Sequence, residues 1–168
     1  MPGSSIGKIL NLGYPGTISR QVDAIITNRP VSGDSVAFGD PVILNTDNTY
    51  SKFGASNVPA DFAGIAIREV KQSTDYYPTT GSYSDGDPCD VISRGSVAVL
   101  CNVGTPTAGG KVYLRIVANE AIPAGVVGGF EAAADSTNTI ELTNCKFTTG
   151  DLDTNKVAEI SILTRNRP

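Results

Sequence analysis

The sequence predicts an all-β fold, a compact β-barrel or β-sandwich with an extended N-terminal arm, and three observations predict it. Short apolar runs recur along the chain, several of them alternating with period two. Gly (18 residues) and Pro (10 residues) are spread throughout, with Thr, Ser, Asn and Asp clustered between those runs, which is the turn chemistry that separates strands. Helical periodicity is nearly absent.

Residues 1–30 read as the arm and residues 31–168 as the body. The arm holds Pro2, Gly3, Gly7, Gly13, Pro15 and Gly16, enough to oppose a stable helix or a central strand. Yet it also carries Ile6, Ile9, Leu10, Leu12, Tyr14, Ile18, Val22, Ile25 and Ile26, more apolar surface than a solvated tail usually shows. Of these, Ile6, Ile9, Leu10, Leu12, Tyr14 and Ile18 are candidate protein-contact residues. Ile18, Val22, Ile25 and Ile26 fall at helical spacing, but all four are β-branched and the stretch is short, so an extended segment is expected.

In the body, candidate strands are Ser35–Phe38, Val42–Asn45, Gly64–Val70, Val97–Cys101, Val112–Val117, Thr139–Leu142 and Val157–Leu163. Val97-Ala98-Val99-Leu100-Cys101 is apolar on both faces, which predicts a central strand covered on both sides. Ile160-Ser161-Ile162-Leu163-Thr164 is apolar on one face, which predicts an edge or outer strand. Gly39-Asp40-Pro41 and Gly86-Asp87-Pro88 repeat one turn pattern ahead of a β run, and Gly109-Gly110-Lys111 is a looser version of it. Proline is tolerated at a first strand position, where no ladder donor is needed. Residues 71–88 are polar and carry Tyr76, Tyr77 and Tyr83. They read as a long loop whose tyrosines are further candidate protein contacts, because tyrosine buries much area at little entropy cost.

A length of 168 residues and a mass of 17.5 kDa suit one domain with an arm. Charged residues are 18% of the chain, against about a quarter in ordinary soluble domains; low surface charge leaves room for protein–protein contact. The net charge of −4 with no basic cluster lacks the electrostatic footprint of a nucleic-acid binder. No apolar h-region marks a signal peptide and no run of about 18 apolar residues marks a membrane span. Cys89, Cys101 and Cys145 are widely spaced and form no C-x-x-C pair, so buried thiols in a reducing cytosol are expected.

The chemistry-bearing motifs fail one by one. Histidine is absent, which removes Ser-His-Asp and Cys-His catalysis and imidazole metal ligation. Ser5-Ile6-Gly7-Lys8 matches S-x-x-K without its companion motifs, and Gly3 to Lys8 is one residue short of a P-loop, with Ile9 where the magnesium-binding hydroxyl belongs. Asp151-Leu152-Asp153-Thr154-Asn155 begins like a calcium loop, but Lys156 and Ile162 replace its glycine and its bidentate glutamate. Asp85, Asp87 and Asp90 cluster near a turn, where carboxylates more often cap backbone amides than hold calcium. Carboxylate pairs for glycoside hydrolysis lack tryptophan to stack on a sugar. No enzymatic activity, cofactor or metal is expected.

Several ordered stretches resemble the structural cement (capsid decoration) proteins of tailed bacteriophages. They are Gly13-Tyr14-Pro15-Gly16-Thr17-Ile18-Ser19-Arg20; Ala37-Phe38-Gly39-Asp40-Pro41-Val42; Phe62-Ala63-Gly64-Ile65-Ala66-Ile67-Arg68; Asp90 to Val97; and Ala108 to Tyr113. Gly129 to Thr139, Cys145-Lys146-Phe147 and Glu159-Ile160-Ser161-Ile162 continue the likeness, which spans roughly residues 13–163. Residues 71–88 are longer than the pattern requires. The resemblance implies no catalytic residue. It implies a virion protein, made in the host bacterial cytoplasm, that binds the major capsid protein on the outside of a phage head and stabilises subunit junctions. Low charge and two-faced strands suggest a homo-oligomer. Capsid threefold junctions favour a trimer over a dimer. The alternative readings are another phage β-module (a tail or head-completion protein) and a carbohydrate-binding β-sandwich.

Overall fold

The computed structural model describes residues 12–68 and 81–165, which are almost entirely strands and turns. Eleven strands follow in chain order: β1 (Ile18–Pro30), β2 (Val36–Ala37), β3 (Pro41–Leu44), β4 (Tyr50–Lys52), β5 (Phe62–Ala66), β6 (Ser82–Tyr83), β7 (Pro88–Val103), β8 (Lys111–Arg115), β9 (Phe130–Glu131), β10 (Thr139–Phe147) and β11 (Val157–Ile162). A 3-10 turn at Pro59–Asp61 precedes β5. The turn motifs do what their chemistry predicts: β3 begins at Pro41, β7 at Pro88 and β8 at Lys111.

The long strand β7 organises the molecule. Its residues 95–100 pair with β11, β11 pairs with β10, β10 with β8, β8 with β9, and β9 returns in parallel to Cys101 and Val103 of β7. That circuit closes a ring of strands, a barrel without free edges. The first stretch of β7 lies between β5 on one edge and β1 on the other, and β3 and β4 extend the sheet beyond β5. A separate two-stranded sheet joins β2 to β6.

Two hydrophobic clusters match this division. The larger fills the ring and runs under β5, with Val97, Val99, Cys101, Leu114, Phe130, Phe147 and Ile160 among its members. The smaller gathers Val31, Val36, Val42, Tyr50, Tyr83, Cys89 and Val91 beneath the extension. Val97, Ala98, Val99 and Cys101 are buried, as expected of a central strand, while Leu100 is half exposed.

One expectation needs correction. Strand β11 is not an edge, because it pairs with β7 on one side and β10 on the other. Residues 18–30, placed in the arm by sequence, form β1 on the edge of β7. The stretch 81–88 of the expected loop is folded, since it contains β6 and the turn into β7; residues 71–80 of that loop lie outside the described residues.

Candidate interaction surface

Three sequence motifs meet at one junction. Tyr14-Pro15-Gly16 makes a turn closed by the Thr17 amide donating to the Tyr14 carbonyl at 3.0 Å. Gly16 then enters the sheet. Its amide donates to the Ala98 carbonyl and its carbonyl accepts from the Arg68 amide, both at 2.8 Å. Gly16 has φ +81° and Gly39 has φ +87°, a region that side chains rarely adopt. The two also approach too closely for side chains: a Cβ on Gly16 would lie 2.9 Å from the Arg68 nitrogen, and one on Gly39 would lie 2.7 Å from the Pro15 Cβ. The Arg68 guanidinium sits 5.0 Å from the centre of the Tyr14 ring and 5.7 Å from that of Phe38, a cation–π arrangement that holds the turn against the sheet.

Beside this junction lies an apolar cleft of about 160 Å³. Residues 16–30 cover one edge of β7 as far as Ala98, and β9 takes over that edge from Cys101. The cleft opens where the cover changes, lined by Pro15, Phe38, Leu100, Val126 and Phe130. Tyr14, Leu100 and Val126 stay 42%, 44% and 54% exposed. At the rim Lys52 pairs with Asp40 at 2.7 Å. A surface of this kind accepts apolar side chains, with its rim charges Lys52 and Asp40 engaged with each other.

A second feature is the bulge in β1. Arg20 faces Ser96 and Ile25 faces Arg94, so the intervening residues of β1 outnumber those of β7 and are pushed outward. Val22 at its crest is fully exposed. Arg20–Glu159 (3.4 Å) and Asp23–Arg94 (2.9 Å) tie its flanks to the sheet.

The connection between β8 and β10 covers a buried charge cluster that sequence reasoning missed, on the face of β8 opposite the core residues Val112 and Leu114. Arg115 and Glu131 have no solvent exposure and form a two-pronged ion pair, with Nη2 donating to Oε2 at 2.9 Å. Arg115 Nη1 also donates to Asp135 Oδ2 at 2.8 Å, and Asn119 and Asn138 donate to the same oxygen. These bonds hold the Asp135 carboxyl below its usual range, first through Asn119 and next through Arg115. The Glu131 hydrogen bonds raise Arg115 further above its ordinary value. Gly125 makes room for this, since a Cβ there would fall 2.1 Å from Arg115 Nε. Its acidic and basic members are satisfied by one another, so the cluster is structural. An arginine at the end of a strand reads as surface in the sequence, and no local pattern marks it otherwise.

The predicted contact residues part company. Ile6, Ile9, Leu10, Tyr76 and Tyr77 lie outside the described residues. Leu12 is half buried and its amide donates to Asp153 Oδ2 at 3.3 Å. Tyr14 is exposed, with the Arg68 guanidinium over its ring, next in sequence to the cleft residue Pro15. Ile18 is partly buried and packs on the larger core. Tyr83 is fully buried: its hydroxyl donates to the Ile67 carbonyl at 2.7 Å, and its ring meets Phe38 edge-on at 5.3 Å. Pairing of β6 with β2 turns it inward.

The acidic turn residues are engaged with main chain and amide groups. Asp85 accepts from the Gly33 amide and Asp87 from the Ser84 amide, each at 2.9 Å, and Asp90 accepts from Asn28 at 2.7 Å. Asp153 accepts from the Asn155 and Val157 amides. Cys89, Cys101 and Cys145 are buried and unbridged. Burial pushes the Cys101 thiol up to about 11 and that of Cys145 to about 12, which keeps both protonated and unreactive near neutrality.

Comparison with known proteins adds two findings. The model of a protein family described as "Structural cement protein (E217 gp24/Pam3 gp6)" matches residues 2–163. A chain from the solved structure "The capsid of Myoviridae Phage XM1" superposes with a TM-score of 0.72 at 17% sequence identity, covering 99% of this chain and 100% of that one. At that identity the likeness establishes a shared fold. No curated protein matches the sequence.

Proposed function

Because this chain belongs to the phage structural cement protein family, we propose that it clamps the outer surface of a phage head, bridging neighbouring copies of the major capsid protein at their junctions. The observation that carries this reading is the extent of the family match, residues 2–163, which leaves almost nothing of the chain outside a cement protein. The structure supports it physically. A clamp needs a stiff body, and the closed ring of strands is one. It needs adhesive surface, and the apolar cleft at Pro15 supplies some.

In this reading the role is wholly structural, without catalysis, cofactor, nucleic acid or membrane. The protein is made in the host cytoplasm and ends in the virion. It acts as a homo-oligomer, a trimer in preference to a dimer, because capsid shells present threefold junctions. Ile6, Ile9, Leu10, Leu12 and Tyr14 are the contact residues on the N-terminal side, and Tyr76 and Tyr77 those of the central loop.

Electron cryomicroscopy of purified virions tests the proposal. Density for this protein on the outer shell at capsomer junctions is expected, together with earlier thermal rupture of heads that lack it. Location in the tail or neck would overturn it in favour of a tail or head-completion role.

A further inference from the structure

The connection from β8 to β9 owes little to apolar burial. Residues 117–127 belong to neither hydrophobic cluster, and Val117 and Val126 are about half exposed. They fold as successive turns. The Ala121 amide donates to Asn119 Oδ1 at 3.0 Å, the Ile122 amide to the Asn119 carbonyl at 2.9 Å and the Gly125 amide to the Ile122 carbonyl at 2.9 Å. A segment with so little buried apolar surface needs another source of order to offset its lost entropy.

The Arg115 side chain is that source. Its Nη1 donates to the Val117 carbonyl at 3.2 Å and to Asp135 Oδ2 at 2.8 Å, and Asn119 donates to the same Asp135 oxygen at 3.0 Å. Among the described residues, the Asn119–Asp135 bond is the one that ties residues 118–125 to groups outside the connection. Gly125 rests on the guanidinium, where a Cβ would fall 2.1 Å from Nε and 2.6 Å from the guanidinium carbon. Its backbone is not left-handed, so the glycine serves close approach alone. The guanidinium has no room to step aside, because Glu131 and Asp135 both hold it. The ladder, meanwhile, closes without the connection: the Arg115 amide donates to the Gly129 carbonyl at 3.1 Å, and the Gly128 amide to the Arg115 carbonyl at 2.8 Å.

We infer that residues 117–127 form a strap, seated on the Arg115 guanidinium, that lifts from the barrel without unfolding it. Val126 and Val127 at its end line the apolar cleft, so seating the strap completes that wall. The consequence for binding rests on the reading of the cleft as a capsid-contact surface. A surface complete only while the strap is seated binds more weakly in proportion to the time the strap is lifted. The buried ion pair thus places a contact surface, a role separate from net stability.

Hydrogen exchange of the full chain, read by mass spectrometry, tests the strap. Gly125→Ala adds one methyl group where the guanidinium lies. The peptide spanning 117–127 is expected to exchange about tenfold faster than in the parent, while peptides from β7, β10 and β11 keep their protection. Asn119→Ala cuts the tie to Asp135 without adding bulk and is expected to give the same local pattern. Unchanged exchange of 117–127 in both variants overturns the seat. A barrel that loosens together with the strap in both overturns its independence. Binding of the same chains to heads lacking the protein tests the consequence, and Gly125→Ala is expected to bind about tenfold more weakly. Equal binding by a chain whose strap exchanges fast overturns the strap's part in the contact. A parent chain that does not bind heads overturns the clamp reading, and the exchange result still decides the strap.

Discussion

Residues 95–103 of β7 lie in a closed ring of strands, whereas residues 88–94 lie between β5 and the edge strand β1. The same strand thus passes through two environments. In the ring every strand has a partner on each side, so main-chain groups are satisfied by the ladder, and the pair Arg115–Glu131 is buried on the outer face of β8 and β9 beneath the connection that carries Gly125. Where β9 does not reach, the edge of β7 from Pro88 to Ala98 depends on residues that come from far away in the sequence. Gly16 and β1 cover it, and the smaller core with Tyr83 supports the extension. One region is stabilised by closure and the other by a borrowed strand.

Removing that borrowed strand is the largest way to break the contrast. A chain that starts at Val31 loses β1 and uncovers β7 from Pro88 to Ala98, so its cooperative thermal transition is expected to collapse or fall far below that of the full chain. A chain that starts at Leu12 keeps every one of those hydrogen bonds and is expected to melt within about 4 °C of the full chain. Equal melting of the two, followed by circular dichroism, would show that β1 is dispensable to the body.

The ring has its own breaking point. Arg115→Met leaves Glu131 buried without its counter-charge, which is expected to cost about 3–5 kcal/mol in urea unfolding. Adding Glu131→Leu removes the stranded charge and should recover much of the loss. A single substitution as harmless as the double would mean that water reaches the pair.

The extension is expected to be less demanding. Tyr83→Phe deletes the bond to the Ile67 carbonyl and leaves a buried acceptor unpaired, for a loss of about 1–2 kcal/mol by the same measurement. No loss would place the support of this region in ring packing alone.

The smallest effect is one of pH. Asn119 and Arg115 hold the Asp135 carboxyl below the ordinary carboxylate range, so its contribution is present above that range and is lost as pH falls through the depressed value. Melting temperature should therefore decline more steeply below about pH 4 in the parent than in Asp135→Asn. Parallel profiles would remove Asp135 from the acid response of the ring.

Much of this was legible in the residues. Pro41 and Pro88 begin strands as expected because a residue with no N–H fits only where the ladder has not started. Val97–Cys101 is central because apolar side chains on both faces have to be covered. The motifs around Gly16, Gly39 and Arg68 were visible as separate segments; their meeting at one junction was not. Tyr83 escaped because its polar neighbours describe a loop, and only the pairing of β6 with β2 turns it inward.

The sequence by itself determined the fold class, the turn positions, the central strand and the lack of histidine chemistry, since each follows from local φ/ψ limits, side-chain alternation or residue type. Tertiary structure alone decided that β11 is internal, that residues 18–30 join the body, and that Arg115 is buried. The reason is physical. Alternation records which face of a strand is covered, but a strand's edge is lined by the same N–H and C=O groups whatever the side chains. Which edge finds a partner, and which charge finds its counter-charge, depends on segments that meet only when the chain has folded.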